Sequence, residues 1–100
     1  KLQDATMWLM QNGMQNPDNA GAASTDYLHI FGLTALAYMW AQMAIAAQKA
    51  IDGGSDDPFY ANKIATGRYF VERMLPDAGA HLAKLKSGAE VLMTLPAEAF

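Results

Sequence analysis

The sequence contains no cysteine. That excludes disulfides, thiolate-bound zinc, iron–sulfur clusters and any cysteine nucleophile, and it suits a reducing, cytoplasmic setting. Charge is also scarce, at 17% of residues, and seven Lys and Arg against ten Asp and Glu leave a formal net charge of −3. A protein gripping nucleic acid by its phosphates needs a clustered excess of cations, so nucleic acid is not an expected partner. Val and Ile are sparse and no stretch alternates with period two, so strands are not expected. No short apolar run follows a basic start, so a signal peptide is not expected either.

What is present is apolar and helix-forming: 52% of the hundred residues are hydrophobic, with alanine and methionine prominent. A compact fold of this size buries about two-thirds of its extended-chain surface, enough for one thin core. The length predicts a single helical domain over residues 1–100. Lys1 is not an initiator methionine, and Lys1 to Ala5 already reads as helix interior. The expectation is therefore a segment of a longer chain.

Four helices are predicted. The first runs from about Leu2 to Met14, and Asn16 to Ala23 then reads as a loop, because Pro17 disfavours helix at Asn16 and Gly21 frees the backbone. Ser24, Thr25 and Asp26 offer successive N-caps for a second helix from Tyr27 to about Ile51, ended by Gly53-Gly54-Ser55. The third begins with Asp57 as cap and Pro58 in the first turn, buries a stripe of Tyr60, Ile64, Val71, Met74 and Leu75 beside Phe59 and Phe70, and stops at Pro76. Asp77 opens the fourth, which buries Leu82, Leu85, Ala89, Leu92 and Met93, turns Lys84, Lys86 and Glu90 to water, and ends at Pro96. Short connections predict an antiparallel four-helix bundle. Gly32 and Gly67, with the alanines of the second helix, read as a close-packing seam; Gly79 and Gly88 also fall inside helices.

Tyr27 to Gln48 carries no Asp, Glu, Lys or Arg and is long enough to span a bilayer. His29, Thr34, Gln42 and Gln48 oppose that reading, as do Tyr38 and Trp40, which sit mid-segment rather than at interfacial ends. A long, largely buried central helix is the expectation, with no membrane.

Candidate chemistry is thin. His29 and His81 lie far apart, and Asp26, three residues before His29, reads as orienting that ring at a helix start rather than completing a metal site. Asp52 to Asp57 lacks the alternating ligands and terminal glutamate of a calcium loop, and also the lysine of a phosphate loop. Ser24, Ser55 and Ser87 read as cap, turn and exposed helix, and Glu72-Arg73 as an exposed pair. Lys63 and Arg68 make only a modest basic face. The methionines, with Trp8 and Trp40, read as core filling, and any that face outward make a patch for another domain or subunit. No residue is assigned a catalytic, cofactor-binding or metal-binding role.

Several stretches along the chain carry a resemblance. Pro17-Asp18-Asn19-Ala20-Gly21-Ala22-Ala23-Ser24-Thr25-Asp26-Tyr27, with Gly32-Leu33 and Ala37-Tyr38-Met39-Trp40-Ala41-Gln42-Met43-Ala44, resembles the C-terminal region of bacterial acyl-CoA dehydrogenases. So do Asp57-Pro58-Phe59-Tyr60-Ala61-Asn62-Lys63, Gly67-Arg68-Tyr69-Phe70, Glu72-Arg73-Met74-Leu75-Pro76, Gly88-Ala89-Glu90 and Leu95-Pro96-Ala97-Glu98-Ala99-Phe100. The likeness is greatest to the long 3-methylmercaptopropionyl-CoA dehydrogenase-like subgroup, which carries an extra helical domain at its end. It implies an FAD-dependent parent enzyme in which a glutamate removes the α-proton of an acyl-CoA thioester while hydride leaves the β-carbon for the flavin. The subgroup's Tyr-Glu-Gly-Thr stretch is missing here, so Glu72, Glu90 and Glu98 inherit no catalytic role. The implied role is an accessory domain, without FAD of its own, packed on the catalytic domains or on a second subunit of a homo-oligomer. A free-standing helical interaction module is the alternative. A DNA-associated branch of the family would need a basic domain, against the negative charge here.

Overall fold

The computed structural model describes residues 1–100, and every regular element is helical. In chain order these are α1 (Leu2–Gly13), α2 (Pro17–Asp52), α3 (Pro58–Tyr69), a π-helical turn (Phe70–Met74), α4 (Asp77–Lys86), the short α5 (Glu90–Met93) and a 3₁₀ turn (Ala97–Ala99). The expected all-α class and its four main helices are present. They fall into two compact units, Lys1–Phe31 with Asp77–Phe100, and Gly32–Pro76, and α2 contributes to both.

The expected loop at Asn16 to Ala23 is instead the first two turns of α2. Asn16, held off helix by the following proline, is placed to cap: its side-chain oxygen accepts from the Asp18 amide at 3.0 Å. Pro17 takes the first helical position, where its missing N–H leaves nothing unsatisfied. Ser24, Thr25 and Asp26 are therefore interior residues rather than caps, and the Ser24 hydroxyl donates back to the Gly21 carbonyl at 2.8 Å. The predicted end holds. Gly54 at φ 99° turns the chain after Asp52, and the Gly53 and Ser55 amides satisfy the Lys49 and Ala50 carbonyls.

In the first unit Ala5, Ala23, Ile30 and Leu85 form the core, with Leu2, Trp8, Leu9, Tyr27 and Leu82 packed against it. The small side chains of Ala5 and Ala23 let backbones approach closely at that centre. Thr6 donates to the Leu2 carbonyl at 2.9 Å, so the Tyr27 hydroxyl, also 2.9 Å away, must be the donor to Thr6. The predicted fourth helix is interrupted. Gly88 adopts φ 76°, α4 ends at Lys86, and the Asn19 side-chain oxygen accepts from the freed Ala89 amide at 2.9 Å. Ala89 stays buried, but Leu92 and Met93, expected inside, are exposed because the break turns α5 away from the stripe.

In the second unit α3 starts as predicted: Asp57 is extended and its carboxylate accepts from the Phe59 amide at 3.0 Å, with Pro58 following. The buried stripe differs. Gly67 and Phe70 are buried, Tyr60, Ile64 and Leu75 are half-buried, and Val71 and Met74 are exposed. The cause is the π-helical turn, in which the Leu75 amide reaches back to the Phe70 carbonyl at 2.9 Å. That wider turn shifts the register beyond Phe70 off the 3.6-residue stripe.

The expectation of a largely buried second helix is overturned. Of α2 only Ala23, Ile30 and Ala47 are buried. Within each unit the neighbouring helices cover one side of α2, at Ala23 and Ile30 in the first and at Ala47 in the second. Leu28, Phe31, Tyr38, Met39 and Ile45 stand at least half exposed. α2 remains long and apolar enough to cross a membrane by length and composition.

Candidate functional site

The most concentrated chemistry lies in the first unit, where α2 supplies Asp26 and His29 and α4 supplies His81. The spacing of three residues places Asp26 and His29 on one helix face. The expectation that Asp26 orients His29 is corrected: its carboxylate meets His81 Nδ1 at 2.9 Å, fifty-five residues away in sequence. His29 instead stacks on His81, ring centroids 4.7 Å apart and planes 5° from parallel. Sequence spacing relates only residues of one helix, so it gives no signal for the partner from α4.

This geometry orients His81 but does not make a metal centre. An imidazole donates to a metal in its own ring plane, and two near-parallel stacked planes cannot aim both lone pairs at one ion. No group of three His, Asp or Glu side chains is placed to hold a metal. The trio reads as a polar clasp between α2 and α4.

The second unit has an aromatic seam. A side chain at Gly67 would place its Cβ 3.2 Å from Trp40 Cε3, so the predicted close approach at Gly67 is present. The companion expectation for Gly32 is not met, since nothing lies within 4 Å of that position. Phe70 stacks on Trp40 at 6.5 Å, and Lys63 Nζ sits 5.5 Å from the Trp40 ring and 5.7 Å from Phe59. A groove of about 320 Å³ beside this seam is walled by Trp40, Ala44, Ile64, Gly67 and Val71. At its rim Arg68 Nε donates to Glu72 at 2.9 Å, correcting the expected Glu72-Arg73 pair. The four-residue spacing places Arg68 and Glu72 on the same helix face, whereas adjacent residues diverge. That hydrogen bond, and then the carboxylate's charge, raises the Arg68 pKa above its ordinary value.

The family described as acetyl-CoA dehydrogenase C-terminal-like matches residues 1–96. The chain belongs to that family. It is also similar to a 3-methylmercaptopropionyl-CoA dehydrogenase from Ruegeria pomeroyi, 28% identical over 86 residues. Those residues are 86% of this chain and 15% of that relative's length.

Membership of the acetyl-CoA dehydrogenase C-terminal-like family directs attention to flavin, and the residues of the second unit do not fit one. The grooves of the second unit, about 320, 260 and 170 Å³, are open and mostly apolar. Arg68 is already paired with Glu72. The Gly53-Gly54 turn is followed by Ser55, Asp56 and Asp57, and carboxylates there oppose a pyrophosphate. What this family member offers most plainly is apolar surface: Met14, Leu28, Tyr38, Met39, Tyr69 and Val91 all lie more than half exposed.

Proposed function

We propose that the chain is the C-terminal accessory domain of an FAD-dependent acyl-CoA dehydrogenase. The parent enzyme oxidises an acyl-CoA thioester at the α,β bond with flavin and catalytic base supplied by other domains, in the cytoplasm. The observation carrying this reading is the family match over residues 1–96, combined with helices whose apolar sides are uncovered. Residues 1–100 then act as one helical domain, its antiparallel bundle completed against the catalytic domains, with a second subunit of a homo-oligomer as a further partner.

Three features support a packing role. The side-chain clusters of the two units are clasps and seams rather than convergent acids and bases. The grooves of the second unit do not suit a dinucleotide. A chain with apolar residues exposed on most of its elements loses free energy to water unless something covers them, at about 25 cal/mol for each Å² left wet. The same surface would also serve a free-standing interaction module.

Intact mass and visible absorbance of the natural protein separate the two. The dehydrogenase reading expects a mass several times that of this segment, a flavin spectrum and thioester oxidation. A natural protein ending at these hundred residues, colourless and inert to thioesters, would end it.

A further inference from the structure

We propose that the outward side of α2 in the Gly32–Pro76 unit, centred on Tyr38, Met39, Gln42 and Ile45, is a permanent docking face occupied by the rest of the same polypeptide. This inference rests on the accessory-domain reading and names the partner of one of its surfaces.

The covered side of α2 is defined by Ala37, Trp40, Ala44 and Ala47, which line grooves together with residues of α3. On the other side Tyr38, Met39 and Ile45 are 64%, 54% and 52% exposed. Tyr38, Gln42 and Ile45 follow one another by four and three residues, so they form a single line along the helix. Ala35 flanks that line, small enough for a neighbouring backbone to approach, and Ala41 and Ala46 mark its edges, where they also border the grooves shared with α3. No charge falls between Tyr38 and Ile45, the exposed Lys49 four residues further along the line marks its end, and a helix apolar on both sides needs both sides covered.

The occupant follows from chain length and chemistry. The matched stretch is only 15% of the relative, so most of a chain built on that plan lies outside this segment. A tethered partner is present at an effective concentration of order mM, well above that of a separate copy in solution. A face without charge also matches permanent interfaces better than transient ones, which are more polar. A bilayer fits less well. Surface-lying helices carry several basic residues beside their apolar face, whereas Lys49 is the one Lys or Arg of α2, and Gln42 and the Tyr38 hydroxyl lie within this face and need hydrogen-bond partners when covered.

Hydroxyl-radical footprinting of the full-length natural protein tests this, each residue being compared with its own rate in the urea-unfolded chain. Tyr38, Met39 and Ile45 are expected to react many-fold more slowly in the folded protein, equally at nanomolar and micromolar concentration. Ile45→Glu is expected to restore Met39 oxidation without loss of helical circular dichroism; if that variant fails to fold, the wild-type footprint decides alone. Met39 and Tyr38 reacting nearly as fast as in urea would overturn the proposal. So would protection that grows with protein concentration, marking a second copy, or protection that needs phosphatidylglycerol vesicles, marking a lipid surface. Flavin absorbance and thioester oxidation are read on the same sample. A colourless, inactive protein with Met39 protected would sink the dehydrogenase reading and uphold this face.

Discussion

At the level of single residues, two glycines inside helices have opposite meanings. Gly32 has open space where a side chain would go, so Gly32→Ala is expected to raise stability by about 0.5–1 kcal/mol through helix propensity alone. Gly67 faces Trp40 at 3.2 Å, so Gly67→Val is expected to overpack the seam and cost about 1–3 kcal/mol. Urea unfolding followed by Trp40 fluorescence in a Trp8→Phe background reads both, and equal responses at the two sites would refute the distinction. Both glycines are conspicuous in the sequence, but only the neighbour across the seam tells them apart. The same holds for Asp26. Its i,i+3 relation to His29 is visible in the chain, whereas its bond to His81 depends on α4 arriving from far along the sequence. A double-mutant cycle of Asp26→Ala and His81→Ala is expected to show a coupling of about 0.5–1.5 kcal/mol, and additive effects would mean the clasp contributes nothing.

Helix ends divide by how local their determinants are. Asp57-Pro58 and Gly53-Gly54 act through bonds within a few residues, and both were legible. Asp57→Ala is expected to cost about 1 kcal/mol, read as a lowered urea midpoint for the Gly32–Pro76 unit, with Asp57→Ser nearly neutral as its control. Asn16-Pro17 is chemically the same signal, yet the glycine and polar residues that follow it argue for a loop. Burial of Ala23 against Ala5 and Leu85 offsets the poor propensity of Gly21. Asn19 illustrates the longer range. Its side chain accepts from the buried Ala89 amide where Gly88 breaks the helix, a contact across seventy residues. Asn19→Ala leaves that amide without its acceptor and is expected to cost about 1–3 kcal/mol, detected by Trp8 fluorescence in a Trp40→Phe background. Trp8 unfolding at an unchanged midpoint would refute it.

For the molecule as a whole, the decisive quantity is how much apolar surface is left uncovered. On the accessory-domain reading, the isolated hundred-residue chain is expected to bind a hydrophobic dye and to aggregate without a defined stoichiometry at micromolar concentration, while the longer parent protein binds no dye and keeps one defined assembly size. A monomeric, dye-negative fragment would show that the exposed aromatics and methionines need no partner. The helical class, the family and the local stop signals were all determined by the sequence itself, because composition, periodicity and capping act within a few residues of chain. Which side of α2 is covered, which histidine Asp26 meets, and where the last helices break were decided only by tertiary structure. Those outcomes depend on packing between residues dozens of positions apart, and a pattern that is apolar on every face of a helix does not say which face finds a neighbour.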